Sequence, residues 1–200
     1  MMNEIWSRFP KLQDCRKAIE DAVELTVNCY RNGGKVLLLG NGGSAADCEH
    51  ISGEFLKSFM AERRVEDPSI PEDLQQLLQG SLPAIPLPSL SSAMTATIND
   101  MDPSAVYAQL LYGLGKKGDV LIAISTSGNA KNVILAARLA KAMGISVLAL
   151  TGEGGGTLAT LSDIAIRVPA KETYRIQEYH LPVYHYLCAE VERILFPSHS

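Results

Sequence analysis

The chain has 200 residues, 46% of them apolar and 20% charged, with a formal net charge of -4. That length can bury a sizeable core, and the composition excludes wholesale disorder. The acidic balance argues against the basic face that broad nucleic-acid binding needs, and no apolar run approaches the ~20 residues of a membrane span.

In chain order, the opening MMNEIWSRFPKLQD is mixed and charged, so it reads as neither a signal nor a transit peptide. A long helix is predicted over much of residues 11–31, closing at NGG. KVLLLG (35–40) is the first strand, and its end runs into the glycine-rich stretch GNGGS (40–44) and a helix carrying His50 and Glu54. AERRVEDPSIPEDLQQLLQG (61–80) is charged and proline-marked. It reads as a surface excursion with its own short helix, Pro71 suiting the first helical position and Gly80 the stop. PAIPLP (83–88) is a second strand, and its three prolines cannot donate ladder hydrogen bonds, which places it at a sheet edge. DVLIAIS (119–125), SVLALT (146–151) and DIAIRVP (163–169) follow as strands, with NVILAARLAKAMG (132–144) a helix between the first two of them. A final helix covers roughly 174–196, and Pro182 is expected to kink it or mark a new start.

Strands alternating with helices predict an α/β fold in three layers, with one parallel sheet buried on both faces and a single domain over residues 1–200. An edge position for the second strand favours the flavodoxin-like order 2-1-3-4-5. Cys15, Cys29, Cys48 and Cys188 are scattered, with no CxxC pair, and predict unpaired thiols in a reducing, cytoplasmic setting.

In that strand order, the loops after strands 1 and 3 flank the reversal of direction, where open α/β sheets bind ligands. Those loops are GNGGS and STSGN (125–129). Ser44, Ser125, Thr126 and Ser127 offer hydroxyls, and Gly42, Gly43 and Gly128 allow close approach of backbone amides. Each loop opens a helix, whose N-terminus favours an anion. Neither loop holds a lysine, and the Walker A and GxGxxG patterns are absent, so a phosphate monoester suits the loops better than a nucleotide triphosphate.

His50 and Glu54 lie four apart and share a helix face. RIQEYHLPVYH (175–185) gathers Gln177, Glu178, His180 and His185, so three of the four histidines fall in these two segments, His199 being the other. Two imidazoles, a carboxylate and an amide suit a divalent metal such as zinc. An imidazole facing a carboxylate equally suits proton transfer, and residue types alone do not choose between the two.

GNGGSA, ISTSGN, ALTGEGG, IRVP and RIQEYH, in this order over about residues 10–196, resemble the sugar isomerase (SIS) superfamily and within it the phosphoheptose isomerases. The resemblance implies a five-stranded parallel sheet between helices and a homotetramer with its sites at subunit interfaces. It implies conversion of the small-molecule sugar phosphate sedoheptulose 7-phosphate into D-glycero-D-manno-heptose 7-phosphate through an enediol. Glu54 matches the base and His185 its acid/base partner, and His50, Glu54, Gln177 and His185 match the ligands of one zinc per subunit. Asn41, Gly42, Gly43, Ser44, Ser125, Thr126, Ser127 and Gln177 match substrate contacts, the hydroxyls forming the phosphate cradle, and Asp100 in TIND matches an acidic residue near the substrate. The chain departs from the family pattern at Ser58, Ala130 and Tyr174, where arginine, serine and aspartate are usual. Two rival readings use the same fold: a non-catalytic protein that associates with a replication initiator, and a phosphosugar sensor. Retention of Glu54 and His185 favours the enzyme over the first, and the three departures are what a sensor reading rests on.

Overall fold

The structure is a computed structural model that describes residues 4–197, so His199 lies outside it. Five parallel strands form one sheet: β1 (Val36–Gly40), β2 (Ala84–Pro86), β3 (Val120–Ile124), β4 (Ser146–Thr151) and β5 (Ile164–Arg167), in the order β2-β1-β3-β4-β5. This is the expected order, and it sets the ends of β1 and β3 side by side, with Gly40 paired to Ile124.

The central strands are apolar throughout because successive side chains enter opposite cores. Val36, Leu38, Ile122 and Leu148 pack under α2 (Arg16–Arg31), α3 (Gly43–Leu56) and α9 (Thr173–Leu195). Leu37, Leu39, Leu121, Ala123 and Val147 face α6 (Val106–Leu114), α7 (Lys131–Ala142) and α8 (Gly156–Leu161). β2 is a short edge strand whose prolines hand over to a 3-10 turn at Leu87–Ser89. All four cysteines are free and buried, as expected.

Four local expectations change. The helix predicted over 11–31 begins as a 3-10 turn at Pro10–Cys15 and becomes α2 only at Arg16. α9 runs unbroken through Pro182, its packing on α2 and α3 holding a turn that lacks one backbone donor. In the excursion, α4 is only Glu72–Gln75, with Pro71 at the N-cap and Gly80 well past the end. That helix buries no residue, and a short helix without a packed face has little to extend it. The excursion is also not purely surface. Arg63 is 1% exposed and pairs with Glu192 at 2.6 Å. α1 (Glu4–Arg8), α5 (Ser91–Asp100), α6 and α8 carried no distinct sequence signal, being short or, in α5, rich in weak helix formers. Among the described residues no helix is long and apolar enough to cross a membrane.

Candidate active site

The loops after β1 and β3 face one another across a cavity of about 350 Å³ lined by Asn41, Gly42, Gly43, Ser44, Ser125, Thr126 and Ser127, with Ala130, Thr173 and Gln177 completing it. Asn41 and Asn132 lock the two loops through a reciprocal amide pair at 3.0 and 2.9 Å. Gly128 sits at φ 66°, and a Cβ there would lie 1.9 Å from the Gly155 carbonyl oxygen, so the second loop has its shape only with glycine. Three helix starts converge on the cavity: Gly43 of α3, Ala130 at the cap of α7, and Thr173 of α9. Their dipoles and free amides favour an anion without any lysine. The third start escaped sequence reasoning because nothing local joins Thr173 to loops far earlier in the chain.

α3 and α9 run side by side away from this cavity. Gln177 lies against Gly43, where a Cβ would sit 2.5 Å from its Nε2. Further along, His50 Nε2 stands 3.2 Å from Glu54 Oε1 and 3.5 Å from His185 Nε2. Glu54 is largely buried, its side chain 14% exposed, and its Oε2 has no hydrogen-bond partner. Burial, and next the neighbouring His50, holds the His185 imidazole below the usual histidine value, so it is neutral near pH 7.

The chain matches the SIS domain family model over residues 2–152. It is 41% identical over 185 residues to the phosphoheptose isomerase of Shewanella denitrificans, covering 91% of this chain and 86% of that protein. The chain belongs to the phosphoheptose isomerases of the SIS family. Among solved structures, the phosphoheptose isomerase of Neisseria gonorrhoeae superposes with TM-score 0.72 at 33% identity, over 95% of this chain and 97% of that one. The phosphoheptose isomerase from Francisella tularensis gives 0.76 at 31% identity, over 96% and 97%.

Within this phosphoheptose isomerase family member the site residues fall into two groups. The loop residues and Gln177 share the cavity, and His50, Glu54 and His185 share the α3–α9 seam. Ten residues of α3 separate Ser44 from Glu54, roughly 15 Å of helix. Eight residues of α9 separate Gln177 from His185, roughly 12 Å. Gln177 stands with the loops, against Gly43, roughly two helical turns along α9 from His185. Asp100 is in neither group: it lies exposed at the end of α5, accepting a hydrogen bond from the Asn99 amide at 2.7 Å. His180 is fully buried under the sheet end, with Nε2 3.4 Å from the Thr151 carbonyl oxygen, and burial pulls its imidazole down to about 4.

The donor set fits zinc in part. Tetrahedral zinc with ligand bonds of ~2.0–2.1 Å places donors ~3.4 Å apart. The two separations at His50 Nε2, 3.2 and 3.5 Å, bracket that edge, and Glu54 Oε2 is an acceptor without a donor. Among the described residues no three His, Cys, Asp or Glu side chains already converge as a metal cage. The residue types and two of the edges fit, while closure of the shell needs a further side-chain rotation.

Two sets of residues that the sequence reading did not single out complete the seam. Tyr184 contacts His50 Nδ1 at 3.0 Å and donates to Asp47 Oδ1 at 3.2 Å. Arg63 donates to the Glu54 and Phe55 carbonyls at 2.8 and 2.6 Å. Glu192 in turn accepts from the Phe59, Met60 and Ala61 amides. This buried pair caps the end of α3 and pins it to α9, so Glu54 and His185 keep one register. An Asp-x-x-His-x-x-x-Glu stripe on α3 was a signal that could have found Asp47, since those positions share a face.

Proposed function

We propose that this protein isomerises a sugar phosphate between ketose and aldose, with sedoheptulose 7-phosphate as substrate and D-glycero-D-manno-heptose 7-phosphate as product. The observation that carries the reading is the lysine-free cavity on which three helix starts and four hydroxyls converge, in a chain that also holds a carboxylate and a neutral imidazole around His50. The named relatives are isomerases, which favours this reading over an initiator-associating protein or a sensor.

In the proposed reaction the loops bind the phosphate through Ser44, Ser125, Thr126 and Ser127, with the amides of Asn41, Gly42 and Gly43 alongside and Gln177 closing the cradle. Glu54 removes the proton from C1 of the ketose, and the electrons move into a C1–C2 enediol. His185 carries a proton from the C1 hydroxyl to the C2 oxygen. Glu54 then returns its proton to C2, leaving an aldehyde at C1, so no external oxidant or reductant is needed. Zinc would be held by His50 with Glu54 and His185, and when bound it supplies Lewis-acid stabilisation of the developing enediolate. Elemental analysis is expected to find about one zinc per subunit. Metal-free protein that gains nothing from added zinc removes the ion from this reading.

Within one chain, Ser44 of the cradle and Glu54 lie roughly 15 Å apart along α3. A homotetramer, in which one protomer's pair serves another's cradle, would close the gap. An apolar groove beside His185, lined by Ile5, Phe59, Met60, Leu181 and Tyr186, supports such an assembly. Asp100 would then approach substrate only from a neighbouring protomer. Turnover of sedoheptulose 7-phosphate, in a panel of five- to seven-carbon ketose phosphates, tests the reading. Silence across the panel overturns it in favour of a binding protein.

A further inference from the structure

We propose that Asp47 and Tyr184 are a positioning pair that fixes the tautomer of His50, leaving its Nε2 as a bare lone pair aimed at Glu54 and His185. Tyr184 is 1% exposed on α9, and its single hydroxyl proton has two acceptor-capable neighbours. Asp47 Oδ1, at 3.2 Å, belongs to a carboxylate, which only accepts. The proton therefore goes to Asp47, and the remaining phenol lone pair takes an N–H from His50 Nδ1, 3.0 Å away. A neutral imidazole has one N–H, so Nε2 is then unprotonated.

That nitrogen faces Glu54 Oε1 at 3.2 Å and His185 Nε2 at 3.5 Å. That lone pair faces a carboxylate oxygen at a cost that the Tyr184 and Asp47 hydrogen bonds offset, and a cation between the two atoms would remove the cost. The other tautomer would place an N–H on Nε2, satisfy Glu54 by a hydrogen bond, and spoil His50 as a ligand. The Tyr184 hydroxyl thus selects between a metal-ready His50 and a hydrogen-bonded one. The consequence for zinc rests on the reading given above, whereas the tautomer itself does not.

The test is 15N NMR of the His50 ring in metal-free protein, beside zinc affinity by chelator competition. Wild type is expected to show Nδ1–H. Tyr184→Phe, which keeps the ring and whose folding is checked by circular dichroism, is expected to shift to Nε2–H and to bind zinc ~10- to 100-fold more weakly, as loss of a ligand's hydrogen-bonded partner does. Wild type that binds no zinc, yet loses the Nδ1–H signature in Tyr184→Phe, supports the pair and retires only the metal. Nε2–H in wild type overturns the proposal without any variant. Nδ1–H retained in a folded Tyr184→Phe overturns it as well.

Discussion

The cradle and the α3–α9 seam are built by opposite means. The cradle is backbone geometry: glycines, turn hydroxyls and helix starts at adjacent strand ends, all following from the sheet order. The seam is side-chain geometry, and its distances depend on the register of two long helices that a buried Arg63–Glu192 pair holds in place. The first should bind phosphate whatever happens to the second. The second should lose its chemistry to changes that leave binding intact.

Glu54→Gln breaks the comparison hardest. Turnover is expected to fall on the order of 10²- to 10⁴-fold, the usual value of a positioned base, while calorimetry still shows sugar phosphate bound. Arg63→Ala attacks the seam through its anchor. It leaves Glu192 charged and buried, so denaturant unfolding is expected to show a loss of about 3–5 kcal/mol. A milder pH effect comes from His180, which folding holds neutral down to about 4 against an ordinary 6.5. Above about pH 6.5 neither folded nor unfolded chain carries this proton, and stability is full. As pH falls towards 4 the unfolded chain takes the proton first, so unfolding titrations should show roughly 3 kcal/mol lost across that window. The smallest change targets the cradle alone: Thr126→Val removes one hydroxyl, and KM is expected to rise ~10- to 100-fold, the value of one hydrogen bond to a charged group, with kcat nearly unchanged.

The same contrast explains what could be read from the sequence. The order 2-1-3-4-5 was legible because proline in PAIPLP has a physical meaning in a strand, and the order alone placed GNGGS beside STSGN. His50 with Glu54 was legible from helical spacing. Its meeting with His185 followed from resemblance, since 135 residues separate His50 from His185. Tyr184 and Arg63 were not legible, because a tyrosine on a helix reads as core and an arginine in a charged run reads as solvated. Gln177 shows the limit most clearly: residue type suited both a ligand and a substrate contact, and only its packing against Gly43 places it beside the phosphate loops.

Deuterium incorporation during turnover is the most direct measure of proton transfer by the seam. With sedoheptulose 7-phosphate in D₂O, wild-type protein is expected to give aldose product labelled at C2, and Glu54→Gln is expected to give neither product nor exchange at C1 of the remaining ketose. Exchange by Glu54→Gln at the wild-type rate would contradict the assignment of that carboxylate as the base.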